Sequence, residues 1–333
     1  MKKISVIVPM YNSFRRMKKN LEVLSAQKDA EIELILVDDC STDDSYAQAL
    51  DYAAGSSFPF ILIKNEKNSG PGVSRNNGLI HATGDYLIFV DSDDYFSENF
   101  TKELAPLLEK DIDCVVFDYV KADETGKILS VGSSVGCQRL SPGFLDVRTA
   151  LVYTYGSTMC KIYKKEVIEK SGARFGEYYR NEDMPFTKHA IAFSGSVYYL
   201  PVSLYHYVQH SASLMHDASL CDEKDSERSF SLLSARLAGR GYDEELKAME
   251  LREILNNTVL IKIEKKEPRR EIVRYIRTHY SKEHLKNKYF GDLSRREKII
   301  SRCAYHRNIL ALSIILKYKH HVKNKETKCH ESN

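Results

Sequence analysis

The chain has 333 residues, 43% of them hydrophobic, and a formal net charge of +3 at pH 7. That length predicts one large domain with an appendage, or two domains, and the apolar content is sufficient for a hydrophobic core. No apolar run approaches the roughly 20 residues that a membrane-spanning helix needs, and Ile4–Val8 is too short for the core of a signal peptide.

The small net charge hides an asymmetry along the chain. From Ile261 onward there are 20 lysines and arginines against 8 acidic residues, whereas the first 260 residues carry 29 against 38. A basic C-terminal region indicates either an anionic partner, such as a membrane surface or an acidic glycan, or a solvated helical face. Within it, the apolar segment Ile309–Leu316 is equally consistent with an interfacial helix and with a buried core helix.

The cysteines favour neither a disulfide framework nor a zinc site, because their number is odd, their spacing is wide and no CxxC pair occurs. With no signal peptide recognised, this pattern predicts a protein of the reducing cytoplasm. The seven cysteines are Cys40, Cys114, Cys137, Cys160, Cys221, Cys303 and Cys329.

The first 90 residues alternate between short apolar strands and amphipathic helices. This alternation at short spacing predicts an α/β fold with a parallel sheet. The predicted strands are Ile4–Pro9, Ile32–Val37, Phe60–Lys64 and Tyr86–Val90, and the predicted helices are Phe14–Gln27, Ser45–Ala54 and Val73–His81.

Polar residues follow each of these four strands: Tyr11-Asn12, Asp38-Asp39, Asn65–Asn68 and Asp91–Asp94. Ligands of parallel sheets bind beyond the carboxyl ends of the strands, so these groups are expected to converge on one rim. Three carboxylates beyond a buried strand are costly unless a cation docks there, and oxygen ligands suit Mg²⁺ or Mn²⁺. The alternative for Asp91–Asp94 is an Asx-rich cap without a ligand.

Beyond residue 95 the pattern predicts further strands and helices up to residue 207. From Cys221 onward glycine and proline become rare, so we predict an α/β domain over residues 1–220 and a basic, mainly helical region over residues 221–333. The later predicted elements are helices at Phe100–Glu109, Lys164–Ser171 and Met184–Phe193, strands at Cys114–Val120, Thr158–Tyr163 and Val197–Tyr207, and a hairpin around Glu124–Gly126.

Five stretches, in order, resemble the motifs of glycosyltransferase family 2: SVIVPMYN (Ser5–Asn12), LVDDCSTD (Leu36–Asp43), NSGPGVSRNNG (Asn68–Gly78), GDYLIFVDSDD (Gly84–Asp94) and NEDMPF (Asn181–Phe186). A weaker match is YHYVQHSASL, residues 205–214. The resemblance implies a GT-A fold, that is, a Rossmann-like, mostly parallel sheet with helices on both faces. It also implies a nucleotide-sugar donor, usually a UDP-sugar, a divalent Mn²⁺ or Mg²⁺ ion, and inversion at the anomeric carbon.

The resemblance also implies roles for individual residues. Asp183 matches the family's catalytic base, and Asp93 matches the metal ligand, with Asp91 and His206 as further metal candidates. Where many relatives carry an arginine this chain has Val208, so the diphosphate charge is left to Arg75, the metal, His206 or His210. The donor-binding positions implied are Pro9, Tyr11, Asn12, Asp39, Asn68, Gly70, Arg75, Asp91, Ser92, Asp93 and Glu182, with Asp39 facing the uracil or ribose.

The residues alone support the same chemistry. An acceptor hydroxyl must lose its proton as it attacks, and a carboxylate such as Asp183, with its pKa raised by the neighbouring Glu182, suits that task. The pair could instead be only an acidic first turn favoured by the helix dipole.

We therefore predict a hexosyl- or N-acetylhexosaminyltransferase of surface polysaccharide synthesis, cytoplasmic or peripheral at the inner membrane face, with a glycan or lipid-linked acceptor and no nucleic-acid partner. The alternatives are a non-catalytic sugar-nucleotide-binding or scaffold protein and a nucleotidyltransferase on a related sheet. The latter usually has a Gly-rich loop where this chain has Met10-Tyr11-Asn12.

Overall fold

The computed structural model describes residues 1–136, 140–179, 181–210 and 224–315. They belong to two compact units, Met1–Leu237 and Ala238–Asn333. The boundary predicted near residue 220, residues 211–214 of the weaker motif, Arg180 and Leu316 lie outside the described residues.

The first half of the large unit is the predicted alternation of strands and helices. Its four strands pair in parallel, as the sequence predicted, and their order in the sheet is β3-β2-β1-β4. The predicted first helix begins as a 3₁₀ turn. The elements are β1 (Lys3–Met10), a 3₁₀ turn (Phe14–Met17), α1 (Lys18–Ser25), β2 (Glu31–Asp38), α2 (Ser45–Gly55), β3 (Phe60–Lys64), α3 (Pro71–His81) and β4 (Tyr86–Phe89).

The second half extends the same sheet. From β4 it continues through β9, β6 and β10 to β5, and only β9 runs against its neighbours on the way to β10. Strands β1, β4, β6 and β10 therefore all end at the same edge. The elements are β5 (Tyr95–Phe96), α4 (Phe100–Leu108), β6 (Cys114–Asp123), β7 (Ile128–Gly132), β8 (Gly143–Leu145), α5 (Val147–Tyr153), β9 (Lys161–Lys164), α6 (Lys165–Ser171), α7 (Met184–Phe193), β10 (Val197–Gln209) and α8 (Lys224–Leu237).

Helices cover both faces of the central strands. On one face, Val6 and Val8 of β1 belong to a core cluster that also contains Leu21 of α1 and Leu104 of α4. On the other face α3 packs so closely that a Cβ atom on Gly78 would lie 2.5 Å from Ile7 Cγ2. Burial on both faces explains why these strands are continuous apolar runs rather than alternating ones.

The second unit is helical, as predicted for the C-terminal region. Its core includes Leu255, Ile276, Ile300 and Leu312. The segment 309–315 is helical, with Leu312 buried and Leu310 75% exposed, and its contact with a membrane interface stays a prediction. The elements are α9 (Asp243–Met249), a π-helical turn (Glu250–Leu255), α10 (Asn256–Glu264), α11 (Arg269–His279), α12 (Lys282–Lys286), a 3₁₀ turn (Lys288–Asp292) and α13 (Arg295–Tyr305).

Within the described parts of the chain, no helix combines the length and the apolarity needed to cross a membrane.

Candidate active site

Short hydrogen bonds connect the loops that follow the four parallel strands. The Thr42 N–H donates to Asn12 Oδ1 at 2.8 Å, which joins the loops after β1 and β2. The hydroxyls of Ser13 and Ser92 lie 2.7 Å apart and join the loops after β1 and β4. The polar groups predicted from the strand ends therefore do meet at one edge of the sheet.

Asp39, predicted to face the uracil or ribose, braces the loop that leads into α3. Its buried carboxylate accepts hydrogen bonds from Asn65 Nδ2 at 2.7 Å, Ser69 N at 3.0 Å and Gly70 N at 2.7 Å. Most of its acceptor capacity is thus used within the protein. Its contact with a nucleoside remains a prediction.

Further predicted donor-binding residues lie at the end of β1 and in the loop before α3. Pro9 is buried near the end of β1, whereas the Tyr11 ring is 45% exposed at the rim. Asn68 Oδ1 accepts a hydrogen bond from the Tyr179 hydroxyl at 3.0 Å. Gly70 has φ +87°, and a Cβ atom there would lie 3.2 Å from the Tyr179 ring, so this turn requires glycine.

Arg75 is the buried centre of the site. Its Nη2 donates to Asp91 Oδ1 at 2.6 Å, and its Nη1 donates to Glu182 Oε1 at 2.7 Å. The Phe175 ring lies beneath the guanidinium, with its centroid 5.4 Å from Cζ. Burial alone would lower the pKa of Arg75, but the charges of Asp91, Glu182 and Asp183 outweigh burial and raise it. Arg75 therefore joins the turn after β4 to the start of α7 as a permanent cation.

Asp183 immediately precedes α7, which has Pro185 in its first turn, as the sequence predicted. Its Oδ2 accepts a hydrogen bond from the Thr158 N–H at 3.1 Å. Burial is the main cause that raises the pKa of Asp183, and Arg75 opposes it. Burial and the charge of Asp183 raise the pKa of Glu182 to about 7. Burial therefore matters more for the basicity of Asp183 than the neighbouring carboxylate to which the sequence analysis attributed it.

Asp93 is paired with a histidine at the end of β10. Its Oδ2 lies 2.5 Å from Nε2 of His210, whose side chain is only 3% exposed. His210 Nδ1 is buried and makes no hydrogen bond within the described residues. His206, the histidine predicted as a metal candidate, instead stacks on Tyr95 with ring centroids 4.4 Å apart.

Asp94 has a structural role that the sequence did not reveal. Its buried carboxylate accepts hydrogen bonds from the Tyr205 hydroxyl at 2.6 Å and from the Val208 N–H at 2.8 Å. Burial and the nearby charges of Asp91 and Asp93 raise its pKa well above the usual range. These contacts fix the Asp91–Asp94 turn against the end of β10 and thereby bring His210 to Asp93.

The residues at Asp93 fit a divalent metal, although no preformed cluster of three histidine, cysteine or acidic side chains occurs in the described part of the chain. A carboxylate and an imidazole nitrogen could occupy two positions, and diphosphate oxygens and water could occupy the others. An imidazole suits a transition metal better than Mg²⁺, which prefers oxygen ligands.

Comparisons with known proteins bear on the family and the fold of the chain. The family described as Glycosyl transferase family 2 matches residues 5–172, about half of the chain. The chain belongs to glycosyltransferase family 2. Members of this family commonly use a divalent metal. The matched segment contains Arg75 and Asp93 but ends before Glu182, Asp183 and His210, so the functions of those three residues depend on the motifs and the geometry.

Several curated relatives are similar over the N-terminal part. An uncharacterized glycosyltransferase YibD of Escherichia coli is 30% identical over 226 residues, which are 64% of this chain and 63% of that protein. TarS of Staphylococcus aureus, a poly(ribitol-phosphate) beta-N-acetylglucosaminyltransferase, is 28% identical over 260 residues, 77% of this chain and 44% of TarS. The chain thus spans less than two thirds of the length of these relatives.

The fold is also that of a solved structure. Residues 1–349 of S. aureus TarS in complex with UDP-GlcNAc match with a TM-score of 0.69 at 22% identity, over 92% of this chain and 90% of that one. This likeness confirms the predicted GT-A fold with its mostly parallel central sheet and the helical C-terminal region.

Proposed function

We propose that this chain is a metal-dependent, inverting glycosyltransferase that moves a sugar from a UDP-sugar to a hydroxyl of a glycan. The observation that carries the proposal is the position of Arg75 between Asp91 and Glu182. That guanidinium is hydrogen-bonded to Asp91, in the turn that carries Asp93, and to Glu182, the residue before Asp183. A donor diphosphate beside Asp93 and an acceptor hydroxyl beside Asp183 would then be neighbours.

The donor we favour is UDP-GlcNAc. The relative TarS is an N-acetylglucosaminyltransferase, and its structure was solved with UDP-GlcNAc. By the same analogy the acceptor is a cell-surface polymer or a lipid-linked oligosaccharide. The exposed Tyr11 ring supplies a surface on which a uracil base can stack.

In this mechanism Asp183 takes the proton of the acceptor hydroxyl. Burial raises its pKa, which makes it a stronger base than an exposed aspartate, and the Thr158 N–H holds one oxygen in place. Arg75 adds a fixed positive charge near the departing diphosphate, although its own hydrogen bonds mainly orient Asp91 and Glu182. A divalent metal bound by Asp93 and His210 would supply Lewis-acid neutralisation of the leaving diphosphate.

Specific observations disfavour the two alternatives. A protein that only binds sugar nucleotides has no need for a half-buried carboxylate of raised pKa at Asp183. A nucleotidyltransferase usually has a Gly-rich loop after its first strand, whereas here that position is occupied by Met10-Tyr11-Asn12, with Asn12 hydrogen-bonded to the loop after β2.

The C-terminal unit is proposed to contact an anionic membrane surface at the cytoplasmic face. Leu310 and Ile314 are one helical turn apart and are 75% and 60% exposed, and Arg307 is exposed in the turn that precedes this helix. Exposed apolar side chains beside basic ones suit the interface of an anionic bilayer.

A donor screen tests the proposed reaction. UDP release is measured across sugar nucleotides with Mn²⁺, with Mg²⁺ and with EDTA. Release from one UDP-sugar that EDTA abolishes supports the proposal. No turnover and no thermal shift with any nucleotide would contradict it.

A further inference from the structure

Two lysines of the large unit are fully buried, Lys161 at the start of β9 and Lys188 in the middle of α7, each with 0% exposed surface. Lysine is almost never fully buried unless its ammonium is paired, because desolvation of the charge is costly. Both ammonium groups donate to backbone carbonyls of one short segment, residues 151–157. The burial of two ammonium groups against residues 151–157 indicates that the structure depends on the position of this segment.

The contact of Lys161 leads to the proposed catalytic base. Its Nζ donates to the carbonyl oxygen of Ser157 at 2.7 Å. The same peptide group carries the Thr158 N–H, which donates to Asp183 Oδ2 at 3.1 Å. The described residues contain no cis peptide bond, so this carbonyl and N–H point to opposite sides. One peptide plane therefore lies between the ammonium of Lys161 and the carboxylate of Asp183.

A cation on the carbonyl side polarises a peptide and strengthens its N–H as a donor. We propose that Lys161 is a positioning residue for glycosyl transfer: through the Ser157–Thr158 peptide it holds the N–H on Asp183 and favours the ionised, proton-accepting carboxylate. This inference depends on the proposed function, because it assumes that Asp183 is the base.

Other charged and titratable groups also face Asp183. Arg75 of α3 favours the ionised form, as Lys161 does, whereas Asp91 after β4 disfavours it. Glu182 is the adjacent residue, and its own pKa is raised by Asp183. The buried phenol of Tyr163 on β9 also senses the charge of Asp183. The hydrogen bond of Lys161 to the Ser157 carbonyl reaches Asp183 through a peptide, whereas Arg75 is hydrogen-bonded directly to Glu182 and Asp91.

Lys188 offers a matched control. It is equally buried, and its Nζ donates to the carbonyls of Leu151 at 2.7 Å and Thr154 at 2.5 Å. The N–H that shares a peptide with the Thr154 carbonyl is that of Tyr155, and it donates to the Ser134 carbonyl rather than to a carboxylate. Loss of Lys188 should therefore weaken the fold without a specific effect on the base.

The test compares Lys161→Met with Lys188→Met in the full chain, with UDP release from UDP-GlcNAc and Mn²⁺ measured as a function of pH. We expect the acid limb of kcat to move to higher pH in Lys161→Met only. At the plateau kcat should fall roughly tenfold, less than the 10²–10⁴-fold that a general base supplies. UDP affinity by calorimetry should equal that of the wild type, and Lys161→Arg should restore the acid limb.

An unchanged acid limb in Lys161→Met, or an equal shift in both lysine variants, would overturn the role of Lys161. Asp183→Asn separates this failure from that of the proposed function. Wild-type turnover in Asp183→Asn would show that Asp183 is not the base and would contradict the proposed function. If Asp183→Asn is inactive but the acid limb of Lys161→Met is unchanged, only the role of Lys161 is contradicted.

If Lys161→Met does not fold, the Thr158 amide proton of the wild type gives the answer by NMR. A downfield Thr158 amide resonance supports the inference if its shift changes over the same pH range as the acid limb of kcat, and if it moves upfield in a folded Lys161→Gln. A resonance insensitive to pH contradicts it.

Discussion

Arg75 and Glu182 are 107 residues apart in the sequence, yet Nη1 of the arginine donates to Oε1 of the glutamate at 2.7 Å. The other end of the same guanidinium binds Asp91 at 2.6 Å. One buried cation thus sets the distance between the turn that would bind the metal and the loop that carries the base.

Replacement of Arg75 by methionine should destabilise the large unit and abolish turnover. Removal of one partner from a buried ion pair leaves uncompensated charge and typically costs about 3–5 kcal/mol. Chemical denaturation measures the loss. Arg15→Met is the control, because Arg15 pairs with Asp44 at an exposed site and its loss should leave stability nearly unchanged. Equal stability of the two variants would contradict the central role of Arg75.

The pKa of Glu182 near 7 predicts a pH dependence of stability. Its folded-state pKa lies above the unfolded value, so the native state binds the extra proton and stability falls as pH rises from about 4.5 to 7. Glu182→Gln cannot ionise and should lose less stability over that range. Unfolding free energies of both proteins measured from pH 4.5 to 7.5 check this, and parallel curves would show that Glu182 ionises normally.

His210→Ala should weaken Mn²⁺ binding, since His210 is the histidine beside Asp93. We expect a loss of at least tenfold, as even residues that only orient metal ligands commonly contribute 10–100-fold. Titration of Mn²⁺ followed by electron paramagnetic resonance, with UDP present, measures this without turnover. His206→Ala is the matched control and should bind Mn²⁺ like the wild type. Weaker Mn²⁺ binding by His206→Ala than by His210→Ala would indicate that His206 is the ligand.

Gly72→Ala should disrupt the site through a steric clash with a neighbouring loop. A Cβ atom at Gly72 would lie 2.1 Å from the backbone carbonyl of Gly176, which has no flexible side chain to move away. Overpacking of this kind costs about 1–3 kcal/mol or more, and it should displace the loop of Glu182. Gly55→Ala at the end of α2 meets no atom within 4 Å and should be neutral or slightly stabilising. Thermal melts of the two variants distinguish these outcomes.

The sequence was sufficient for the parallel half of the sheet and for the convergence of its polar strand ends. Continuous apolar runs identify strands that are buried on both faces, and the start of α7 was recognisable from Asp183 and Pro185. Local signals of this kind do not depend on distant parts of the chain.

The partners of the site residues depended on long-range packing and could not be predicted. His210 lies beside Asp93, whereas His206 pairs with Tyr95 of the two-residue strand β5, and neither contact has a local signal in the sequence. Asp39 is the residue predicted to face the nucleoside, but its bonds to the loop before α3 arise only in the fold. Lys161 and Lys188 resemble surface charges in the sequence, because burial of a lysine has no local signature.

The role of Asp183 as the base is measured by comparing the turnover of the wild type with that of Asp183→Asn. UDP release from UDP-GlcNAc is followed with Mn²⁺, with Asp51→Asn, an exposed substitution on α2, as the control. We expect a loss of 10²–10⁴-fold in Asp183→Asn with unchanged UDP affinity and no loss in Asp51→Asn. Wild-type turnover by Asp183→Asn would contradict this role.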